Sequence, residues 1–435
     1  MRVSLAFGKT GLEIDLPQGP TWQVLRPREE SPIADLPAAL AAALDHPIGT
    51  PALGEIARGK TTAAISVCDI TRPVPNAITL PPLLERLQQA GIPKDGITIL
   101  IATGLHRPAT AAEIQAILGP SIAAEYRVVN HDARDFASHA ALGTTRRGTP
   151  VYIDRRFVDA DLHITLGFIE QHLMAGFSGG RKLIAPGLAA QETIKVLHSP
   201  RFMRQAAATE GSIEDNPLHA ELLEIAALAR HDFMLDVALT RRRQITGIFA
   251  GSGVQAHAAG VRFLRSAQLE LLTEPVDAVI TTGAGYPLDL TFYQTIKGVT
   301  AAQHIVKPGG KILVLGECAE GVGAPEFTAR LAALSSYAGY LKEIESGPVV
   351  VDQWQIEKLA MTGSKFETLF YVPGVSPEAA GGLADRFFPT PQAAIEALLC
   401  GLPPHCTVAV IPEGPYVFAQ LKQDSQQLTA PAAGS

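Results

Sequence analysis

Short runs of β-branched and other apolar residues alternate along this chain with stretches in which apolar side chains recur every three to four positions. The first pattern predicts strands and the second amphipathic helices; their alternation predicts βαβ units around a mostly parallel sheet. Strands are expected over residues 62–68, 97–102, 126–130 and 162–166. Helices are expected over 80–90, 110–118 and 191–197, the second opened by the capping box Thr110-Ala-Ala-Glu113. Residues 233–239 and 244–249, joined through Arg241-Arg-Arg243, read as an antiparallel pair. A second block begins near Pro275, with strands over 278–282, 311–315, 366–372 and 407–411. No internal repeat or coiled coil is visible.

The fold class is therefore α/β, with two domains of mostly parallel sheet, as 435 residues exceed one ordinary domain. The first is expected over 1–268, completed by 404–424, and the second over 272–400. The stretches 264–274 and 401–404 read as crossings between them, and 425–435 as a frayed tail. Strands that run into reactive loops in both blocks place the expected active site in the interdomain cleft.

Composition narrows the chemistry. A net charge of -7 argues against nucleic acid or an anionic membrane as a partner, so an anionic ligand needs a local basic pocket. Cys68, Cys318, Cys400 and Cys406 lack metal-ligand spacing and read as free thiols in a reducing compartment. The opening MRVSLAFGKTGLEIDLP lacks a basic stretch followed by a long apolar core, and no apolar run reaches the ~18 residues of a membrane span. A cytoplasmic protein is expected.

Ligands of open α/β sheets bind at the carboxyl ends of strands, and the polar residues fall there. The first strand leads into Asp69-Ile-Thr-Arg-Pro73 and the second into Thr103-Gly-Leu-His-Arg-Pro108. The strand ending near Leu166 leads into Gly167-Phe-Ile-Glu-Gln-His172 and then Ser178-Gly-Gly-Arg-Lys182. In the second block, Gly283 to Asp289 precedes Tyr293, Gln294 and Lys297.

Each residue has a bland and a chemical reading. Ser178-Gly179-Gly180-Arg181 is either a tight turn or an anion cradle, in which glycines admit backbone N–H groups and arginine adds a fork of donors. It is not a Walker A sequence. Lys182 is a phosphate contact, a nucleophile with a depressed pKa, or a solvated charge. His106 and His172, both on loops after strands, read as an acid/base pair. His198 either caps the helix over 191–197 or ligates a metal. Arg72 and Arg107 clamp an anion or make surface ion pairs. His131, His163, His219, His231, His257 and His304 read as structural. No His-Glu-x-x-His or paired-cysteine motif is present, and Gly283-Ala-Gly285 lacks the rest of a dinucleotide fingerprint.

Together these residues resemble the lactate racemase family that uses a nickel-pincer nucleotide. The matching motifs are Asp69-x-Thr-Arg-Pro73, Thr103-Gly-x-His-Arg107, His172-x-x-Ala-Gly-Phe-Ser-Gly-Gly-Arg-Lys182, His198-Ser-Pro200 and Tyr293-Gln294-x-x-Lys297-Gly298. They stand in the family's order and span nearly the whole chain. The resemblance implies an isomerase, a racemase or epimerase of 2-hydroxy acids. Its cofactors would be nickel and pyridinium-3-thioamide-5-thiocarboxylic acid mononucleotide, covalently linked to Lys182. Nickel would be held by a ring carbon, two sulfurs and His198. His106 and His172 would be the two catalytic bases. Arg72, Tyr293, Gln294 and Lys297 would bind substrate, with Trp354 as a further pocket wall. Asp69, Thr71 and the Ser178-Gly179-Gly180-Arg181 loop would hold the nucleotide.

The implied reaction removes the hydroxyl proton while the C2 hydrogen leaves as hydride, then returns both to the other face of a 2-keto acid. Maturation partners are implied as well: a carboxylase/hydrolase, a sulfur transferase and a nickel insertase. The chain departs from the lactate enzyme at Leu173-Met174, where larger aromatic character is expected, and places Ile70 and Leu105 at variable motif positions. These changes suit a bulkier 2-hydroxy acid. Two other readings of the residues are a lysine Schiff-base enzyme and a hydroxy-acid binding protein without catalysis.

Overall fold

The computed structural model describes residues 1–26, 30–240 and 242–422. Arg241 and the expected tail over 425–435 lie outside them. The chain forms two compact units, one of residues 29–198 and 215–267, the other of 1–28, 199–214 and 268–435.

The first unit is built on a six-stranded sheet in the order Ile245–Gly251, Phe233–Leu239, Leu162–Phe168, Ala63–Cys68, Ile97–Ala102, Arg127–Asn130. All neighbours are parallel except the expected antiparallel pair Phe233–Leu239 and Ile245–Gly251. Strand order reverses between Ala63–Cys68, the first of the six in the chain, and Leu162–Phe168, the fourth. Such a reversal opens a crevice beyond the carboxyl ends of the two strands, because the chain leaves them in opposite directions. Leu162–Phe168 is buried along its whole length, as a central parallel strand covered on both faces must be. Helix Asn76–Gln89 lays Leu80, Leu83, Leu84 and Leu87 against this core. It begins before the expected residue 80 and continues through Pro81 and Pro82. Helix Ala111–Leu118 carries the Thr110–Glu113 capping box.

The second unit has five parallel strands in the order Glu367–Tyr371, Val306–Leu315, Val276–Thr282, Thr407–Val410, Thr21–Val24. Val279, Ile312, Val314, Phe292, Ile296 and Phe370 are fully buried around it. This division differs in extent from the ranges 1–268 and 272–400. Thr21–Val24 pairs with Thr407–Val410, so the chain's start and the stretch from 404 belong together in the second unit rather than completing the first. The 401–404 run is a turn between helix Pro391–Leu399 and strand Thr407–Val410, inside one unit. The 264–274 stretch does contain a boundary, at 267/268. Among the described residues, no helix is long and apolar enough to cross a membrane.

Candidate active site

The loop after Ala63–Cys68 turns on Asp69. Its Oδ1 accepts from the Thr71 hydroxyl (2.6 Å) and amide (3.2 Å), and its Oδ2 lies 2.6 Å from His106 Nδ1. Burial works against ionisation of Asp69, but the His106 charge and these hydrogen bonds outweigh it and hold the carboxyl below the ordinary range. His106 reaches Asp69 from the neighbouring strand's loop. There Gly104 takes a left-handed turn (φ +55°), donating its amide to Gly187 O, and Thr103 Oγ1 donates to His131 O. Asp69 and Thr71, expected to hold a nucleotide, are therefore engaged with the protein: both carboxylate oxygens already take donors. Their observable effect is to orient His106, whose side chain remains 42% exposed.

From the fourth strand the chain passes through Glu170 into a hairpin of two-residue strands, Gln171–His172 and Gly176–Phe177, in which His172 pairs with Gly176. His172 is buried, and its Nδ1 accepts from the amides of Met174 (3.4 Å) and Ala175 (3.2 Å). Glu170 Oε1 meets Arg72 Nε at 3.1 Å, tying together the loops of the two strands that flank the reversal. Beside them the Lys182 amine is lowered to about 7, by burial first and then by the charges of Arg181 and Arg72, against the opposing pull of Glu170.

The Ser178–Arg181 loop, expected to help hold the nucleotide and its phosphate, wraps a carboxylate of the protein. The Gly180 amide donates to Asp236 Oδ2 at 2.8 Å, and a Cβ on Gly179 would stand 2.2 Å from the same oxygen. Arg181 is fully buried. Its Nη2 donates to Ala175 O and Phe177 O, and its Nη1 donates at longer range to Ser178 O and Gly179 O and lies 2.7 Å from His257 Nε2, which is itself 2.8 Å from Ser178 O. Ser178 Oγ donates to Phe168 O and accepts from the Glu170 amide. The glycines thus serve close approach, and Arg181 serves as a clamp on its own loop. Burial pushes the Asp236 carboxyl up to about 7, despite the Gly180 amide and the Arg181 charge.

His198 ends helix Gln191–Leu197, where its Nδ1 lies 2.8 Å from Ile194 O. A carbonyl can only accept, so Nδ1 carries the proton and Nε2 the lone pair. Burial lowers this imidazole to about 4 and keeps it neutral. The capping reading of His198 is thus met at Nδ1, and Nε2 keeps a lone pair. Arg107 makes a two-pronged ion pair with Glu113, the bland alternative for that residue. All four cysteines are free.

Tyr293, Gln294 and Lys297 lie in the other unit, on helix Phe292–Ala302, with successive spacings that put Tyr293 and Lys297 on one face. Trp354 Nε1 donates to the Tyr293 hydroxyl at 3.0 Å, and Gln355 Nε2 to Tyr293 O at 2.8 Å. Gln294 Oε1 is buried and, among the described residues, has no hydrogen-bond donor. Asp289, at the end of the glycine-bearing loop before this helix, accepts from the amides of Gly8 and Glu317 and is structural.

Sequence reading missed Glu170 and Asp236. Asp236 had a signal: an acid alone in the apolar strand Phe-Met-Leu-Asp-Val-Ala-Leu must be buried with a partner. Glu170 lay in the loop leading to His172 but outside the motifs that carry the resemblance. Among the described residues no group of three His, Cys, Asp or Glu is placed to hold a metal.

Comparison with known proteins identifies the family. The family description "Lactate racemase N-terminal domain" matches residues 7–211, and "Lactate racemase C-terminal domain" matches 272–418. A lactate racemase of Thermoanaerobacterium thermosaccharolyticum is 36% identical over 363 residues, covering 82% of this chain and 85% of that protein. One from Lactiplantibacillus plantarum is 35% identical over 377 residues, covering 85% and 88%. The solved lactate racemase apoprotein of T. thermosaccharolyticum superposes with a TM-score of 0.88 at 31% identity, over 97% of this chain and all of that one. A Thermotoga maritima protein shares the fold at a TM-score of 0.66 and 18% identity, over 91% of this chain. This chain belongs to the lactate racemase family and is an isomerase of the racemase class.

Proposed function

We propose that this racemase inverts C2 of a 2-hydroxy acid, lactate or a larger homologue, with a nickel-pincer nucleotide joined to Lys182. The observation that carries the reading is the Lys182 amine, lowered to about 7 beside the Arg72–Glu170 pair. A neutral amine is the form that makes a covalent link to an acyl-type carbon.

The residues present suit that cofactor. It asks the protein for one metal ligand, and His198 offers Nε2 while Ile194 O fixes its tautomer. The chemistry the bound group supplies is reversible acceptance of a hydride, which no side chain provides. Arg72, aligned by Glu170, is assigned to the substrate carboxylate. Tyr293, Gln294 and Lys297 are assigned to its carboxylate and oxygen. The buried Gln294 Oε1 lacks a donor among the described residues, a deficit of about 1–3 kcal/mol that a substrate hydroxyl would relieve. His106 and His172 are assigned to the substrate oxygen. Asp69, Thr71, Ser178, Gly179, Gly180 and Arg181 are assigned to shaping the loops around the cofactor rather than to gripping its phosphate. Leu173 and Met174, both buried next to His172, favour a side chain larger than methyl. Cofactor supply would rest on a carboxylase/hydrolase, a sulfur transferase and a nickel insertase.

The test is intact mass of the full chain co-expressed with those maturation enzymes, beside Lys182→Ala, followed by racemisation assays on a panel of 2-hydroxy acids. A nucleotide-sized adduct on the wild type alone supports the reading. No adduct, while a known lactate racemase matures in the same host, overturns it. The depressed amine equally suits a lysine that forms a Schiff base, and borohydride trapping of a carbonyl compound on Lys182 would establish that alternative.

A further inference from the structure

His131, which reads as structural in the sequence, is the meeting point of two stretches of the candidate site. It follows strand Arg127–Asn130 and is 2% exposed. Its amide donates to Ile101 O, and its carbonyl accepts from Thr103 Oγ1 at 2.7 Å, at the head of the loop that carries His106. Its ring faces the other stretch, the chain between Lys182 and helix Gln191–Leu197, where Nε2 lies 3.1 Å from Ala189 O. The two stretches also meet directly: the Gly104 amide donates to Gly187 O, and the Gly187 amide to Lys182 O.

The ring has to donate from both nitrogens. Its Nδ1 lies 3.1 Å from Asp154 Oδ2. A carbonyl and a carboxylate only accept, so either neutral tautomer would press a lone pair against an oxygen. Asp154 stays ionised. Burial opposes its charge, but the hydrogen bonds from Arg156 and His131 hold the carboxyl below the ordinary range. Asp154 is itself tied to the same stretch, since its amide donates to Leu188 O. The other titratable side chain at the ring is His139, edge-on at 5.1 Å, with its Nδ1 at 2.9 Å from Asp135 O. Burial first, and then the His131 charge, lowers His139 and keeps it neutral. A buried charge is tolerated only while its partners stay in place, so the imidazolium binds Asp154 and Ala189 as one unit.

We infer that His131 is a positioning residue: as a buried imidazolium it fixes the chain leading from Lys182 to His198 against the loop that carries His106. The inference rests on the function proposed above for the roles of Lys182, His198 and His106. The amide, the carbonyl and both ring nitrogens of His131 all meet protein groups, so it acts through the two stretches and not on the substrate.

The experiment uses the full-length apoprotein with ¹⁵N-labelled histidine. The His131 ring signals are identified by their loss in His131→Gln, or by their displacement in His139→Phe should the first variant not fold. Both nitrogens should carry protons at pH 7, and a bare nitrogen overturns the inference. Asp154→Asn removes the charge that favours the imidazolium, so the ring should lose its second proton at a pH lower by at least about one unit. Over that interval the Gly104 and Gly187 amides should lose at least about tenfold of their protection from hydrogen exchange, while strand Phe233–Leu239 keeps its own. The wild type should show the same loss at higher pH, which keeps the comparison available if Asp154→Asn does not fold. Protection that ignores the state of the ring overturns the positioning role. In the cofactor-loaded enzyme, the alkaline fall of kcat should move down with the ring in Asp154→Asn, with KM changed by less than about threefold. A fall that stays at its wild-type pH also overturns the role. A loaded wild type that turns over no 2-hydroxy acid overturns the function proposed above, while the apoprotein spectrum and exchange still decide His131.

Discussion

Asp236 and Gly180 form the contact on which the lysine-bearing loop is built: the Gly180 amide donates to Asp236 Oδ2 at 2.8 Å, in a fully buried setting. The glycine-rich loop that ends in Arg-Lys closes on a side chain of the fourth strand's neighbour.

That carboxyl makes stability depend on pH. Burial raises Asp236 to about 7, above its value near 4 in an unfolded chain. The native state therefore binds the extra proton between these values, and stability present below about pH 4 is lost as pH rises towards 7, by an amount on the order of a few kcal/mol. Asp236→Asn keeps an acceptor for Gly180 without the charge. Its Tm should fall less than the wild type's between pH 5 and 8, by several degrees. Parallel Tm curves for the two proteins would refute the assignment.

Lys182 should be the most reactive amine at neutral pH. Reductive methylation followed peptide by peptide should show Lys182 modified with a midpoint at about 7. Glu170 favours the ammonium form, so Glu170→Gln should move that midpoint lower. A midpoint that rises or stays put would show that Glu170 does not face the amine.

Glu170 should also act through Arg72. The ion pair fixes Nε and directs the rest of the guanidinium. In the loaded enzyme, Glu170→Gln should raise KM for the 2-hydroxy acid roughly 10-fold while kcat changes by less than about threefold. A loss confined to kcat would count against the assignment of Arg72 to the carboxylate.

For His198, capping and ligation separate cleanly. His198→Ala should lower apoprotein stability by about 1 kcal/mol through the lost contact at Ile194 O. In matured protein it should also remove nickel, measured by elemental analysis, while the Lys182 adduct persists by mass. Nickel retained at the wild-type ratio would leave His198 a helix cap alone.

Much of this was legible in the chain itself. Strands over 97–102 and 233–239 stand where their β-branched runs place them, and the Thr110 capping box closes as its spacing requires. His106, His172, Lys182 and His198 could be proposed as site residues because their loops carry short, ordered motifs. What sequence could not give is long-range. Thr21–Val24 joins Thr407–Val410 across nearly the whole chain, and a four-residue strand has too little pattern to announce its partner. The purpose of the glycines was hidden for the same reason. Ser-Gly-Gly-Arg looks alike whether its amides face a phosphate or Asp236, and the choice is made by a strand that comes much later.

That order has a consequence for how the protein is made. Lys182 and His198 leave the ribosome before the strand Phe233–Leu239 is synthesised. Until that strand docks beside Leu162–Phe168, the glycine loop has no carboxylate to close on, and Arg181 has no His257 to meet. A nascent or truncated chain ending short of Phe233 thus carries Lys182 without the packing that lowers its amine, so that lowered value belongs to the finished fold alone.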